Sequence, residues 1–465
     1  MIIKSIPYQD SLSIFSRFSL QPWSLWLDSA QTNSDLGRYS FIAVDPFATL
    51  TSKNGVIRFL KQNFNSNPFN FLKQEFAKYS SSHIQTSVPF PGGIAGYFGY
   101  ELNQHIESIK PAKQDDCQFP DLALGFYDVV IGFDHLKKQA WICSTGLPEK
   151  EPSARQYRAE KRIKEFNNRI SNFGRESFFC QSQSLPSSSI TAQSNFTHKQ
   201  YIKAVQQVVD YIYAGDIFEA NISQRFSARL PSHFSPFELY QRLRRNNPAP
   251  FAAYFNPDEV IIASSSPERF IQLHGRQVET RPIKGTRRRG ATLTEDQQLA
   301  DELVASVKDQ AENVMIVDLM RNDLSKVCEN HSVKVPTLCG LVTFANVHHL
   351  VSVITGKLKS DKTAIDLLQA SFPGGSITGA PKIRTMEIIA EIEPHVRGPY
   401  CGSVGYIGFD GSMDTSITIR TFAIKKNHLT FHGGGAITAD SDPEQEYQET
   451  LAKVAALQKI IHEFY

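Results

Sequence analysis

At 465 residues the chain is long enough for two or three ordinary domains or one large one. Its 41% hydrophobic and 21% charged content suit a globular protein with a substantial core, and a formal net charge of +2 gives no global field that favours nucleic acid. The six cysteines form no CxxC pair, so neither a zinc ribbon nor a disulfide framework is indicated. No signal-peptide core opens the chain and no run approaches bilayer length, so a soluble cytoplasmic protein without a membrane partner is expected.

The N-terminal part holds a strand-like stretch, LALGFYDVVIGF (122–133), and a charged helix-like one, RQYRAEKRIKEFNNRI (155–170). The Ser- and Gln-rich QSQSLPSSSITAQSN (181–195) then reads as a linker. The chain is divided accordingly: an N-terminal region 1–180, a linker 181–196 and a C-terminal region 197–465. Thr197 is placed to cap a helix on which Tyr201, Val205, Val208 and Ile212 recur at helical spacing, and Gly215 is placed to end it. DIFEANISQRFSARL (216–230) switches to period two. Phe218, Ala220, Ile222, Phe226, Ala228 and Leu230 share one face; Glu219, Asn221, Ser223 and Arg225 share the other. That predicts a half-buried strand of an antiparallel sheet. Further strands are expected at EVIIASS, HLVSVITGKL, GSVGYIGF, SITIRTFAI and LTFHGGG, with helices over 295–320 and 381–392. Strands and helices do not alternate strictly, which favours an α+β fold.

Two carboxylate pairs stand three residues apart on predicted helices: Asp309 with Glu312, and Glu446 with Glu449. That spacing puts each pair on one helix face, where like charges repel by about a few tenths of a kcal/mol unless a cation sits between them. A hard cation such as Mg²⁺ suits oxygen ligands of this kind, and a solvated acidic face is the plain alternative. FPGGSITGAPK is a Gly-rich loop feeding a helix, with Pro381 near the first turn; FHGGGAITADS reads as a second Gly-rich turn. No GxGxxG or Walker lysine pattern occurs, so no nucleotide site is indicated. His349, Tyr406 and Glu268 are single polar groups on strands or strand ends, each with a structural reading as good as a functional one. In TRPIKGTRRRG (280–290) one lysine, Lys284, stands among four arginines on a turn or strand end.

Taken together, PGGIAGYFGYE, GDIFEANISQRF, SSSPERF, RPIKGTRRRG, AENVMIVDLMRNDL, HHLVS, FPGGSITGAPK, GYIGF, SITIRT and DPEQEYQET resemble the chorismate-utilising enzymes, typified by component I of anthranilate synthase and of aminodeoxychorismate synthase. The resemblance implies a large α/β sandwich of antiparallel sheets, anthranilate synthase component I-like. It implies Mg²⁺ held by Glu312 and Glu449, with Asp309 and Glu446 close behind. It implies chorismate carboxylates met by Tyr406, Arg420, the 434–436 turn (Gly434, Gly435, Ala436), Thr378 and the Gly285–Thr286 backbone. Lys284, Glu268 and His349 are the implied catalytic residues. The anthranilate synthases resemble PIAGT where this chain has PIKGT, and PIKGT resembles aminodeoxychorismate synthase. Lys284 is then the nucleophile that adds at C2 and expels the C4 hydroxyl, Glu268 is the general acid, and ammonia displaces Lys284 at C4. Burial and nearby arginines, Arg281 and Arg287 to Arg289, are expected to lower the Lys284 pKa if they point inward.

Glu219 stands where many members have Gln and where isochorismate and salicylate synthases have a water-activating Lys; its role is left open. WLDSA matches a tryptophan-site stretch in part, and Ser29, Arg38, Pro250, Phe251 and Ala252 mark an indole-sized pocket that could keep a structural tryptophan; feedback inhibition is not implied. No cysteine sits on a glutaminase-like elbow, so ammonia is expected from solution or from a separate glutamine amidotransferase subunit in a heterodimer. Anthranilate synthase component I is the alternative activity, disfavoured by Lys284, followed by isochorismate or salicylate synthase. An RNA-binding surface on Arg287–Arg289 conflicts with the near-neutral chain.

Overall fold

The computed structural model describes residues 1–31, 35–80, 86, 88–171, 190–231, 234–344 and 347–463. Two twelve-stranded sheets stack face to face, and their named strands pair antiparallel throughout. The first sheet runs Ile2–Ile6, Gln139–Ser144, Val129–Asp134, Tyr39–Ala43, Ser24–Asp28, Phe251–Asn256, Ile261–Ser266, Thr421–Lys425, His428–Ile437, Glu219–Arg229 and Gln193–Ser194, with Gly379–Ala380 beside Glu219–Ala220. The second runs Ile283–Arg288, Val347–Lys357, Gln277–Thr280, Arg269–His274, Met413–Ile417, Ser403–Gly408, Gly93–Phe98, Leu122–Tyr127, Ala48–Lys53, Val56–Phe59 and Gln62–Asn65, with Lys334–Thr343 on Val347–Lys357. This is the expected α+β sandwich. Both sheets mix strands from either side of the linker, so the division at 181–196 is one of sequence and not of hydrophobic core. Residues 181–189 lie outside the described residues. The end of the stretch is ordered: Ile190 is buried, and Gln193–Ser194 pairs with Ser227 and Phe226.

Helices cover the outer faces. Pro152–Ser171, Pro236–Asn246 and Pro443–His462 pack on the first sheet around Phe166, Leu239 and Leu457. Pro68–Ala77, Val307–Ser325 and Ala364–Ser371 pack on the second around Leu72, Ile316 and Leu368. Leu25, Phe41, Tyr97 and Phe255 fill the space between the sheets. The helix His198–Tyr213 starts at the expected cap, with Thr197 and Gln200 in a reciprocal capping box, and Gly215 follows its end at φ +82°.

Three expectations are corrected. The strand Glu219–Arg229 is buried on both faces, because its polar side meets the interior and not solvent; Phe218, expected inside, is exposed. The helix expected over 295–320 is two, Leu293–Ala305 and Val307–Ser325. Ser306 between them is extended, and its hydroxyl accepts from the Asp309 N–H, capping the second. The 434–436 segment is no turn: it continues the strand His428–Ile437 opposite Asn221–Ser223. Of the two places expected for Lys284, a turn or a strand end, the structure gives the second: it is the second residue of the strand Ile283–Arg288, whose register shifts at Gly285, which has φ +79°.

Two stretches that read as continuous, LALGFYDVVIGF and SITIRTFAI, break where the chain crosses between sheets, and a further crossing follows EVIIASS. Leu122–Tyr127 belongs to the second sheet and Val129–Asp134 to the first, with buried Asp128 at the corner between Arg158 and Arg162. Ile261–Ser266 passes to Arg269–His274 through Pro267 and Glu268. Met413–Ile417 passes to Thr421–Lys425 through Thr418–Arg420.

Candidate active site

The last two crossings lie side by side. The Ser265 N–H donates to the Arg420 carbonyl at 3.2 Å, and the Ile417 N–H donates to the Glu268 carbonyl at 3.1 Å. The fold thus brings the segments that carry Glu268 and Arg420 together from positions far apart in the chain. Arg420 holds φ +50°, unusual for a residue with a side chain. Its guanidinium makes a long 3.5 Å contact with Asn247 Oδ1, and no carboxylate among the described residues pairs with it. It borders a cavity of about 210 Å³ that Pro250, Pro267, Phe344, His349 and Lys453 also line. An arginine fork without a carboxylate, facing open space, is suited to a ligand carboxylate.

Glu268 is buried, and Ser376 Oγ donates to its Oε1 at 2.6 Å. Burial pushes its carboxyl up to about 7, against the opposing pull of the Ser376 hydrogen bond and the Lys284 charge. The Lys284 Nζ lies 2.5 Å from Glu219 Oε1, and both residues are buried. Burial pulls the Lys284 ammonium down, but Glu219, Glu312 and Glu268 outweigh it, and its pKa is raised. This corrects the expectation of a depressed lysine. The arginines do not point inward. Arg281 pairs with Glu279, Arg288 with Glu295, Arg289 with Asp296, and Arg287 with both Glu302 and Asp309. Lys284 is a cation among carboxylates, charged at rest.

His349 stands across from Thr286 and its Nδ1 is 2.8 Å from Thr286 Oγ1. Burial, then the Arg420 charge, lowers the imidazole to about 4, so it is neutral at ordinary pH. Thr378 is buried behind Glu219: its carbonyl accepts from the Asn221 N–H at 2.7 Å, and its hydroxyl donates to the Gly374 carbonyl at 3.0 Å. Gly379, at φ +143°, pairs with Ala220, and a side chain there would collide with the Glu219 carbonyl. Lys382, at the start of the next helix, is partly buried and donates to Asp323 and the carbonyls of Ser371 and Pro373.

The carboxylate pairs come from two helices that flank this region. Burial raises Glu312 to about 7, with Lys284 opposing. Lys308 Nζ is 3.8 Å from Glu446 Oε1, Asp309 is tied to Arg287, and Glu449 is 2.6 Å from Lys453. Among the described residues no three acidic, His or Cys groups are gathered as a cage for a metal. Of these four carboxylates, Glu446 has an oxygen, Oε2, that is buried without a hydrogen-bond partner among the described residues. Gly435 fits because a Cβ there would stand 3.0 Å from that oxygen. Gly434 has its carbonyl engaged by Lys453 at 2.9 Å, and the Gly434–Ala436 backbone is paired in the sheet.

Tyr406 is placed apart from these groups. Its ring stacks on Phe90 at 4.2 Å and meets Phe41 edge-on at 5.5 Å within the core between the sheets. Ser29 and the Pro250–Ala252 strand do come together: Ser29 Oγ is 3.3 Å from the Pro250 carbonyl and donates to the Tyr39 carbonyl at 2.6 Å. Arg38 lies over the Tyr39 ring and pairs with Asp134, and the Phe251 ring lies under the Arg269 guanidinium. Sequence reading missed Ser376 and the buried pair Glu393–Arg397, which ties the Asn221 and Ile377 carbonyls together. No spacing signal marks either; they are found only once the loops are packed.

Residues 24–459 match the profile of a family described as chorismate binding enzyme. The chain is 40% identical to aminodeoxychorismate synthase component 1 of Escherichia coli (strain K12), over 96% of this chain and 94% of that protein. It is 38% identical to anthranilate synthase component 1 of Bacillus caldotenax, over 94% of this chain and 88% of that protein. Among solved structures, anthranilate synthase component I from Streptococcus pneumoniae TIGR4 superposes with a TM-score of 0.81 at 31% identity, covering 92% of this chain and 93% of that one. With a matching profile over nearly its whole length and relatives of this identity and coverage, the chain belongs to the family of chorismate binding enzymes.

Proposed function

We propose that the chain aminates chorismate at C4, giving 4-amino-4-deoxychorismate, a precursor of p-aminobenzoate and folate. The observation that carries this reading is the buried Lys284, set among Glu219, Glu268 and Glu312 and apart from its neighbouring arginines, which pair with other carboxylates. A nucleophile that adds at C2 with allylic shift leaves itself on C2. Nitrogen reaches C4 through two such shifts, and an enzyme amine can make the first. Lys284 passes a proton to Glu219, 2.5 Å away, and its free amine adds at C2. Glu268, held protonated near neutral pH by burial, protonates the departing C4 hydroxyl, which leaves as water. Ammonia then adds at C4 as the C2–Lys284 bond breaks. The departing amine recovers its proton from Glu219, and the product ammonium returns one to Glu268. Arg420 and the Thr378 loop hold substrate carboxylates, and His349, neutral, orients Thr286 at the bulge.

The acidic residues fit a hard cation. Their donors are all carboxylate oxygens, and Glu446 Oε2 is buried with no donor of its own. Glu312 and Glu449 would hold Mg²⁺, with Asp309 and Glu446 behind them; bound there it would neutralise and anchor the ring carboxylate of the substrate. Ammonia is supplied by a separate glutamine amidotransferase subunit, the arrangement suggested by relatives named as a component 1. The pocket at Ser29, Arg38, Pro250, Phe251 and Ala252 is of a kind that takes tryptophan as a structural ligand.

The test is mass spectrometry of products from purified protein, chorismate, Mg²⁺ and ammonium. An aminated product that keeps the enolpyruvyl group is expected. Anthranilate with released pyruvate would overturn the C4 reading in favour of the other activity named among the relatives.

A further inference from the structure

The strand Glu219–Arg229 carries two hydrogen-bond acceptors that no described residue satisfies. Glu219 Oε2 and Asn221 Oδ1 are both buried, and neither has a donor. They stand two residues apart on one strand, so they project to the same face, the face on which Lys284 meets Glu219 Oε1. Buried polar atoms without partners are rare and costly, on the order of 1–3 kcal/mol each. Their surroundings are rigid. The Asn221 backbone is fixed by its N–H to Thr378 and by Arg397 on its carbonyl, and Gly434 opposite leaves room, since a Cβ there would stand 3.0 Å from Asn221 Oδ1. Beside the Lys284 ammonium, which is already engaged with Glu219 Oε1, these two fixed oxygens are left as free acceptors. They select for a small molecule that presents N–H groups.

We propose that Glu219 Oε2 and Asn221 Oδ1 form a seat for ammonia beside Lys284. Two of its N–H groups donate to the two oxygens, and its lone pair is left free for carbon. The inference deepens the reading above and rests on it for the place of attack. The seat itself needs only ammonia as the nucleophile.

The experiment is steady-state turnover with ammonium chloride as the varied substrate. Asn221→Ala is expected to raise the KM for ammonium about tenfold, the value of one lost hydrogen bond in a dry site, while the KM for chorismate stays within about twofold. Asn221→Asp, which keeps an acceptor at the same place, is expected to restore most of the loss, which separates loss of the seat from a folding defect. An ammonium KM in Asn221→Ala equal to the parent's, or a chorismate KM that rises in step with it, overturns the seat. A second arm uses glutamine with the amidotransferase subunit. A parallel loss there shows the seat serves delivered ammonia as well; a loss with ammonium chloride alone confines it to ammonia from solution. Intact-mass spectrometry of the parent with chorismate and no ammonium looks for the Lys284 adduct. Its absence would sink the covalent reading without touching the ammonium result, so the two failures are distinguishable.

Discussion

Arg397→Met is expected to be among the most damaging single changes outside the reacting groups. Arg397 and Glu393 are buried together, with Nε and Nη2 donating to the carboxylate at 2.9 and 2.7 Å. The same guanidinium donates to the Ile377 carbonyl at 3.0 Å and the Asn221 carbonyl at 2.6 Å, and lies over the Tyr100 ring. Methionine fills much of the volume but supplies no donor. Glu393 would keep the Ser223 N–H and hydroxyl and lose its counter-charge. Stranding one partner of a buried pair costs about 3–5 kcal/mol. Adding Glu393→Gln removes the stranded charge and keeps an acceptor for Ser223, so the double variant should recover about 1–3 kcal/mol relative to the sum of the singles. Urea unfolding followed by tryptophan fluorescence measures all three. Strictly additive losses, or an Arg397→Met midpoint equal to the parent's, would refute the argument that this pair is held by mutual neutralisation. A functional sign should accompany the loss. Arg397 ties the carbonyl next to Thr378 to the strand of Glu219, so the variant should lose turnover even where its urea curve shows it fully folded under assay conditions.

Lys284→Ala is expected to abolish C4 amination, read by product mass spectrometry; normal aminodeoxychorismate from that variant would exclude a covalent lysine. Glu268 has a folded-state pKa raised to about 7 against 4.5 in an unfolded chain, so its contribution to stability is present below about 4.5 and is lost as pH rises through 7. Glu268→Gln should therefore be more stable than the parent at pH 8, by on the order of 3 kcal/mol at most, yet at least about a hundredfold slower; equal stability at both ends of a pH series of melts would contradict the burial argument. Gly379→Ala should lose activity together with stability, because its Cβ has no room against the Glu219 carbonyl, and a variant with parental turnover would show that this strand yields easily. Chelation by EDTA should stop turnover and Mg²⁺ should restore it, with Glu449→Gln shifting the Mg²⁺ titration to higher concentration; an unchanged titration would remove Glu449 from the ligand set.

What could be read ahead was whatever depends on local spacing. The i,i+3 carboxylates, the Thr197 cap and the period-two strand each follow from backbone geometry over a few residues. Where the reading failed, the missing information was three-dimensional. Alternation along Glu219–Arg229 was taken for a wet face, yet the same pattern arises when polar side chains meet one another inside, as Arg225 meets Asp116 and Ser223 meets Glu393. The glycines at 433–435 suggested a turn; the helix Pro443–His462 comes close to Gly433 and Gly435, where a Cβ on Gly433 would stand 2.7 Å from the Thr450 carbonyl, and the strand Glu219–Arg229 comes close to Gly434. The arginine cluster suggested a depressed lysine, and helix carboxylates claim those arginines instead. Most telling are the crossings. Nothing in SSSPERF or SITIRT marks a passage from one sheet to the other, but it is the passage that brings the backbone of Glu268 to Ile417 and that of Arg420 to Ser265. A site built from crossings needs the whole double sheet to exist before any of its residues are neighbours. That is why local sequence could name its members one by one but could not assign the charge state of Lys284, which depends on three carboxylates drawn from three distant segments.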